Sequence, residues 1–345
     1  MAILKKKEQR KTERQKVEER REEVLSNGRK YKYPMQFAKH RVVIWTLIVV
    51  VLALVSLGAL GYVLLYKAQD TSDIIYRVTQ VLPVRVATID GEPVRYSDYL
   101  MIYRSTMTPL EQQEDLLSSS ADMDAMRAFY KRQALTEAED YTYALKLMRE
   151  LHITISDNEI TDAINNHRKA GGVERSEETF RRILQENFGL SMSEYRRMVY
   201  LALAKQKVSE VIDSVALATA VDVEKRIASG KTLSDIAKEM GSQVLFEETG
   251  GLVDAMNIDG GRATVARTLE PGKTSGRFTS NSGSGYYFVT LGNKTDTEVS
   301  YTSIQVPFKE FDTRVQALRN DNKVEEKIEV EETNTELEQN PAEQK

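Results

Sequence analysis

The chain contains no cysteine in its 345 residues. That excludes disulfides, thiolate metal sites, a cysteine nucleophile and a lipobox-type lipid anchor. It leaves the redox compartment open. Histidine is nearly as scarce. His40, His152 and His167 are the three present, and no H-E-x-x-H spacing or His/carboxylate cluster occurs. No metal and no cofactor is therefore expected. A phosphate loop is missing too: "GSGYYF", Gly283–Phe288, is followed by no Lys-Ser/Thr and opens no helix. Ser282-Gly283 lacks the strand-turn-helix setting of a nucleophile elbow. Paired acids such as Glu247-Glu248 read as solvated rather than catalytic.

Charge is plentiful but segregated. The net charge is −4, yet residues 1–41 hold 14 Lys+Arg against 6 Asp+Glu, and the remainder holds 34 against 46. Between the two regions, Val42–Tyr66 runs "VVIWTLIVVVLALVSLGALGYVLLY" without a charge. About 20 apolar residues suffice to cross a bilayer as a helix. Trp45, Tyr62 and Tyr66 sit near the ends of the run, where interfacial aromatics belong. The basic stretch before it is long, and apolar residues continue past Ser56, Gly58 and Ala59. The run therefore reads as an uncleaved anchor rather than a signal peptide. It has no G-x-x-x-G, so helix dimerisation gains little support. The Lys/Arg excess places residues 1–41 in the cytoplasm and the rest outside, in a single-pass protein of the cell (inner) membrane. The same bias accounts for the basic tail, and no nucleic-acid partner is expected.

Beyond a spacer, 67–83, the exported region opens on "VRVATIDGEPVRYSDYL", Val84–Leu100. Asp90-Gly91 supplies a tight hairpin turn, and Ser97 is the expected cap of a following helix. Tyr141, Ala144, Leu145, Met148 and Leu151 share one helical face. Two capping boxes follow, Ser156-x-x-Glu159 and Ser191-x-x-Glu194. Between them a helix carries Phe180, Ile183, Leu184 and Phe188, with Gly189 suited to its C-terminal cap. Met101, Met107, Met123 and Met126 read either as an adaptable groove lining or as ordinary core.

The hairpin "ATIDGEPVRYSDYL", the helix end "LMRELHITISDNEI" and "FRRILQENFGLSMSEYRRMV" occur in that order. Together they resemble the N-terminal chaperone domain of the SurA/PrsA/PpiD group of extracytoplasmic foldases, over about Val84–Val211. A parvulin-type prolyl isomerase domain should then follow. "VEKRIASGKTLSDIAKEM", Gly250-Gly251, "LEPGKTSG" and "SGYYFVTL" resemble its parts, over about Ala220–Leu291.

The resemblance implies a single N-terminal transmembrane helix, a mostly α-helical chaperone domain and a small α+β parvulin-like domain with an antiparallel sheet. The expected boundaries are a basic segment (1–41), the anchor (42–66), the spacer (67–83), the helical chaperone domain (84–215), the parvulin-like domain (216–308), a C-terminal helix (309–324) and an acidic disordered tail (325–345).

It also implies a catalytic site that this chain does not reproduce. The family places two histidines on adjacent central strands. In this chain Tyr287 stands at one position, after Gly285-Tyr286. A strand for the other is missing before the domain. Val299–Phe308, "VSYTSIQVPF", resembles it from after the domain, with Ser303 in the histidine's place. That strand is either the missing central one in a permuted order or simply an extra one. The family's pocket phenylalanines fall near Arg262 and Arg267. Catalytic candidates are thus Tyr287 and Ser303, and expected peptide contacts are Tyr287, Val289, Leu291, Ile304 and Met256.

The functional expectation is a membrane-anchored chaperone. It binds unfolded exported polypeptides, carries a degenerate isomerase domain and fits a contact with secretion machinery. The alternatives are an active parvulin-type isomerase and a scaffold subunit of an envelope or secretion complex.

Overall fold

Uncharged, helix-compatible residues dominate from Arg41 onward, and they become one continuous helix. In the computed structural model, α1 (Ala2–Lys32) is polar all round and α2 (Pro34–Tyr62) carries the apolar run into a π-helical turn, Val63–Lys67. Arg41–Lys67 spans 27 residues, and its most apolar stretch has mean hydropathy 2.8 and exposed side chains, so it is long and apolar enough to cross a membrane. The structure describes residues 2–32, 34–112, 120–169, 174–255, 257, 259–279 and 283–330. The chain divides into two units, Met1–Gln69 and Asp70–Lys345.

The second unit begins with a helix where a spacer was expected: α3 (Asp73–Val81) buries Ile75, Tyr76 and Thr79. Next come β1 (Arg85–Ile89) and β2 (Glu92–Arg95), joined at Asp90-Gly91, where both residues take positive φ, 47° and 81°. Such a turn matches the twist of a tight hairpin. Lys146 holds it by donating to the Asp90 carbonyl at 3.0 Å. The following helix, α4 (Tyr96–Glu111), starts two residues earlier than one capped by Ser97 would; Arg95 is its N-cap, and Ser97 lies buried in its first turn.

α4 is the centre of the helical part. Tyr96, Tyr99, Leu100 and Met107 are fully enclosed. α3, the hairpin, α5 (Ser120–Glu150) and α7 (Glu177–Phe188) pack around them. Met101, Met107 and Met123 are 2% exposed, so these methionines are core. On α5, Ala144 and Met148 are buried as their spacing predicts, whereas Leu151 lies beyond the helix and is exposed. A second cluster joins α6 (Asp157–Lys169), α7 and α8 (Met192–Ile212) through Ile160, Ile164, Phe180, Leu184 and Val199.

Both capping boxes form: Ser156 and Ser191 each exchange bonds with the glutamate three residues on. Gly189 closes α7 with φ +63°. Ser191→Ala is expected to cost about 1 kcal/mol, since the α8 terminus loses one reciprocal pair. A denaturant-unfolding midpoint unchanged from that of the native chain would contradict this.

α9 (Ser214–Ala228) and α10 (Leu233–Met240) lead into an antiparallel sheet. Its strands are β3 (Leu245–Glu248), β4 (Val253–Asp254), β5 (Phe278–Thr279), β6 (Gly285–Lys294) and β7 (Glu298–Pro307). The order is β3-β7-β6-β5, with β4 also on β7. One face packs on α9 and α10 through Tyr286, Phe288, Ile304 and Val306. The other packs on α11 (Arg262–Arg267) through Val289, Leu291, Val299 and Tyr301. Alternation along β6 therefore sends its aromatics into two cores.

The chain then returns to the helical part. α12 (Glu310–Asn320) sets Phe311 against Tyr143, ring centroids 5.7 Å apart. β8 (Val324–Glu326) adds a third strand to the hairpin, in the order β2-β1-β8. This corrects the expected tail from 325. Val324 is the one apolar residue of β8, and Ile328 and Val330, just past the strand, are buried. The acidic residues among them give the segment the composition of a solvated tail. Residues 331–345 lie outside the described residues.

Candidate functional site

The two candidate catalytic positions come together. In the β6–β7 register, Tyr287 faces Gln305 and Val289 faces Ser303. Tyr287 and Ser303 therefore share one face, one diagonal step apart on adjacent strands. The late strand Val299–Val306 occupies the centre of the sheet, between β6 and β3.

Their access is closed by Arg262. Asp259 builds its support: the carboxylate accepts from Gly261 N at 3.2 Å, from Ala263 N at 3.0 Å and from the Tyr301 hydroxyl at 2.5 Å. Gly260 and Gly261 adopt φ +74° and +95°, which a side chain would resist. The turn starts α11 over the sheet. Arg262 Nε then donates to the Asp259 carbonyl at 2.8 Å, Nη1 pairs with Glu247 and lies 3.4 Å from Ser303 Oγ, and the guanidinium sits 5.3 Å from the Tyr287 ring centre. Burial works against this charge. The Glu247 hydrogen bond, with Tyr301 and Tyr287 beside it, more than offsets burial and holds the Arg262 pKa above its ordinary value. Burial and the bond to Asp259 push the Tyr301 phenol up in turn.

Tyr287 is 5% and Ser303 1% exposed, and the Tyr287 hydroxyl lies 3.1 Å from Ser284 Oγ. A proline ring reaches neither without displacing Arg262. The expected peptide face is corrected as well. Val289 and Leu291 are fully buried beneath α11, and Ile304 is fully buried on the opposite face, against α9 and α10. Met256 lies outside the described residues. Arg267, at the far end of α11, is exposed.

The helical part offers an open site instead. A cavity of about 300 Å³ lies between α3, the start of α4 and α8. Arg197 grips Asp98 with two bonds, 2.9 and 3.3 Å, on one wall. Glu194 accepts from Gln80 at 2.9 Å and from Ser191 N at 2.6 Å on another. Burial raises the Glu194 pKa, but those bonds and one from Tyr76 overcome it, and the carboxyl stays below its usual range. A second cavity of about 160 Å³ shares Gln80 and Arg95 and continues along Val81, Pro83, Pro93 and Val94. The two adjoin at Gln80 and Arg95; the first is lined by charged residues, and the second is mainly apolar with Arg85 and Arg95 beside it.

A protein-family profile described as SurA-like N-terminal domain matches residues 35–209. The chain belongs to the SurA-like N-terminal domain family. No curated protein and no solved structure gives a match. The SurA-like match runs from α2 through most of α8, so it includes the apolar helix and both cavities. It stops before the sheet. Membership supports a chaperone-like function toward polypeptides. The residues that wall the SurA-like depression on the α3 side escaped sequence reasoning. Ile74, Ile75, Val78 and Val81 keep a helical spacing, but α3 is nine residues long, shorter than the stretch over which a period is read.

Proposed function

We propose a membrane-anchored extracytoplasmic chaperone that binds unfolded exported polypeptides, with a parvulin-like sheet domain that has lost prolyl isomerase activity. The Lys/Arg excess before α2 supports a cytoplasmic N-terminus. The observation that carries the loss of activity is Arg262 covering Tyr287 and Ser303. Isomerisation needs an apolar seat for the proline ring beside groups that stabilise a twisted amide. In this chain a half-buried guanidinium lies over the two positions. Client holding uses the α3–α4–α8 depression, where burial of apolar side chains drives binding without ATP. The charged end, Asp98–Arg197, gives polar backbone a place to bond.

A protease-coupled proline-peptide assay on the detergent-solubilised full chain is expected to give no rate enhancement. The activity loss would be refuted by an enhancement that disappears in Tyr287→Phe. The same preparation is expected to suppress aggregation of unrelated unfolded proteins. No suppression, together with one stoichiometric partner in a pull-down, would favour a scaffold instead.

A further inference from the structure

α3 has a second apolar face that is exposed among the described residues. Ile75, Tyr76 and Thr79 point into the protein. Ile74, Val78, Val81 and Leu82, spaced i, i+4, i+7 and i+8, point out, with exposures of 75%, 41%, 83% and 52%. Three aliphatic side chains on a nine-residue helix, with Leu82 at its C-cap, form a patch rather than a scatter. Arg77 lies on the same helix and is exposed, as are Arg85 and Arg95, which line the cavity that Val81 shares. The nearest acid on the helix, Asp73, is paired with Arg104 at 2.6 Å. Asp70 lies in the connecting segment and accepts from Ser72 N. The surface is thus apolar with a basic border.

Covalent length decides what such a surface can meet. Five residues, Ala68–Ser72, separate the apolar span from α3. Fully extended, they reach about 20 Å. If the span crosses a bilayer, α3 cannot leave the vicinity of its headgroups. An aliphatic stripe bordered by arginines is the chemistry of an interfacial helix on anionic lipid. Four side chains alone bind weakly, but the tether makes docking intramolecular and keeps the effective concentration high.

We propose that Ile74, Val78, Val81 and Leu82 rest on the anionic outer surface of the membrane, with Arg77, Arg85 and Arg95 against its headgroups. This rests on the reading of Arg41–Lys67 as a membrane span.

The absence of native cysteine makes the test direct. Full-length chain carrying a single environment-sensitive fluorophore, through Ile74→Cys, Val81→Cys, Leu52→Cys or Glu270→Cys, is placed in nanodiscs of phosphatidylcholine and phosphatidylglycerol. One set carries a headgroup-level quencher and another a mid-bilayer quencher. The expected result is loss of emission at positions 74 and 81 with the headgroup quencher, at 52 with the mid-bilayer quencher, and at 270 with neither. The loss at 74 and 81 should shrink in pure phosphatidylcholine, and also in about 1 M salt, where screening falls to roughly 3 Å. Unquenched 74 and 81 beside a quenched 52 would overturn the docking and leave the anchor intact. An unquenched 52 would overturn both. Emission at 74 and 81 that changes only when unfolded polypeptide is added would make the stripe a client surface and refute the lipid contact.

Discussion

Asp213→Ala should destabilise the chain by about 3 kcal/mol, because one carboxylate caps two helices. Asp213 is 3% exposed at the joint between α8 and α9. One oxygen accepts from Ala216 N at 2.8 Å, in the first turn of α9. The other accepts from Lys309 N at 2.7 Å and Glu310 N at 3.0 Å, where α12 begins. Helix-start amides have no partner within their own helix. Truncation leaves three of them in an enclosed place, and each lost cap is worth about 1 kcal/mol. Asp213→Asn keeps an acceptor but loses the charge, so roughly half the effect should remain. Urea unfolding of the detergent-solubilised chain gives the magnitude. Hydrogen exchange should rise together at the first turns of α9 and α12, and a rise at only one would refute the shared cap.

The second large effect depends on pH. Glu139 on α5 is fully buried, and Arg319 on α12 donates to its Oε2 at 2.6 Å. Among the described residues its Oε1 has no partner. Burial pushes the Glu139 carboxyl up from 4.5 to about 7; Arg319 opposes this, while Glu326 and Asp140 add to it. The folded chain therefore binds this proton more tightly than the unfolded chain does. The stabilisation is complete below the unfolded value of 4.5 and is lost as pH rises through about 7. By linkage the loss approaches about 3 kcal/mol. Glu139→Gln should flatten this part of the stability profile between pH 5 and pH 8. Arg319→Ala should act in the opposite sense. At pH 8 it strands a buried carboxylate and costs about 3 kcal/mol, and near pH 5 the carboxyl takes up a proton and the cost shrinks. Equal losses at both pH values would show that Arg319 acts through packing instead of charge.

Much of the architecture could be read from local pattern. The capping boxes of α6 and α8, the Asp90-Gly91 turn and the β6 strand all depend on residues within a few positions of one another. α3 and β8 were hidden for different reasons. α3 keeps a helical spacing at Ile74, Val78 and Val81, but its nine residues are too few for the period to be read. β8 lies in an acidic stretch whose composition suggests solvent; Val324 is its one apolar residue, and the buried Ile328 and Val330 come after the strand ends. The site shows the same division. Counting along the chain placed Arg262 where a pocket residue belongs, and the β6–β7 pairing then brought Tyr287 and Ser303 together. That Arg262 closes the site depends on Asp259, Tyr301 and Glu247, which belong to three separate segments. The burial of Val289, Leu291 and Ile304 follows from α11 and α9–α10 covering both faces of the sheet, and no local pattern in β6 or β7 announces it.

The pairing of β1 with β8 places a constraint on the chain's own birth. β1 emerges early in synthesis, whereas its partner Val324–Glu326 is among the last described residues to appear. β7, which holds β3, β4 and β6 together, also comes late. Until both arrive, the hairpin and the sheet present bare edges, and open edges recruit foreign strands. A chain made in this order spends its own synthesis as an incomplete fold, and under the proposed topology its translocation as well. Beside other emerging polypeptides, it needs the protection that it is proposed to give them.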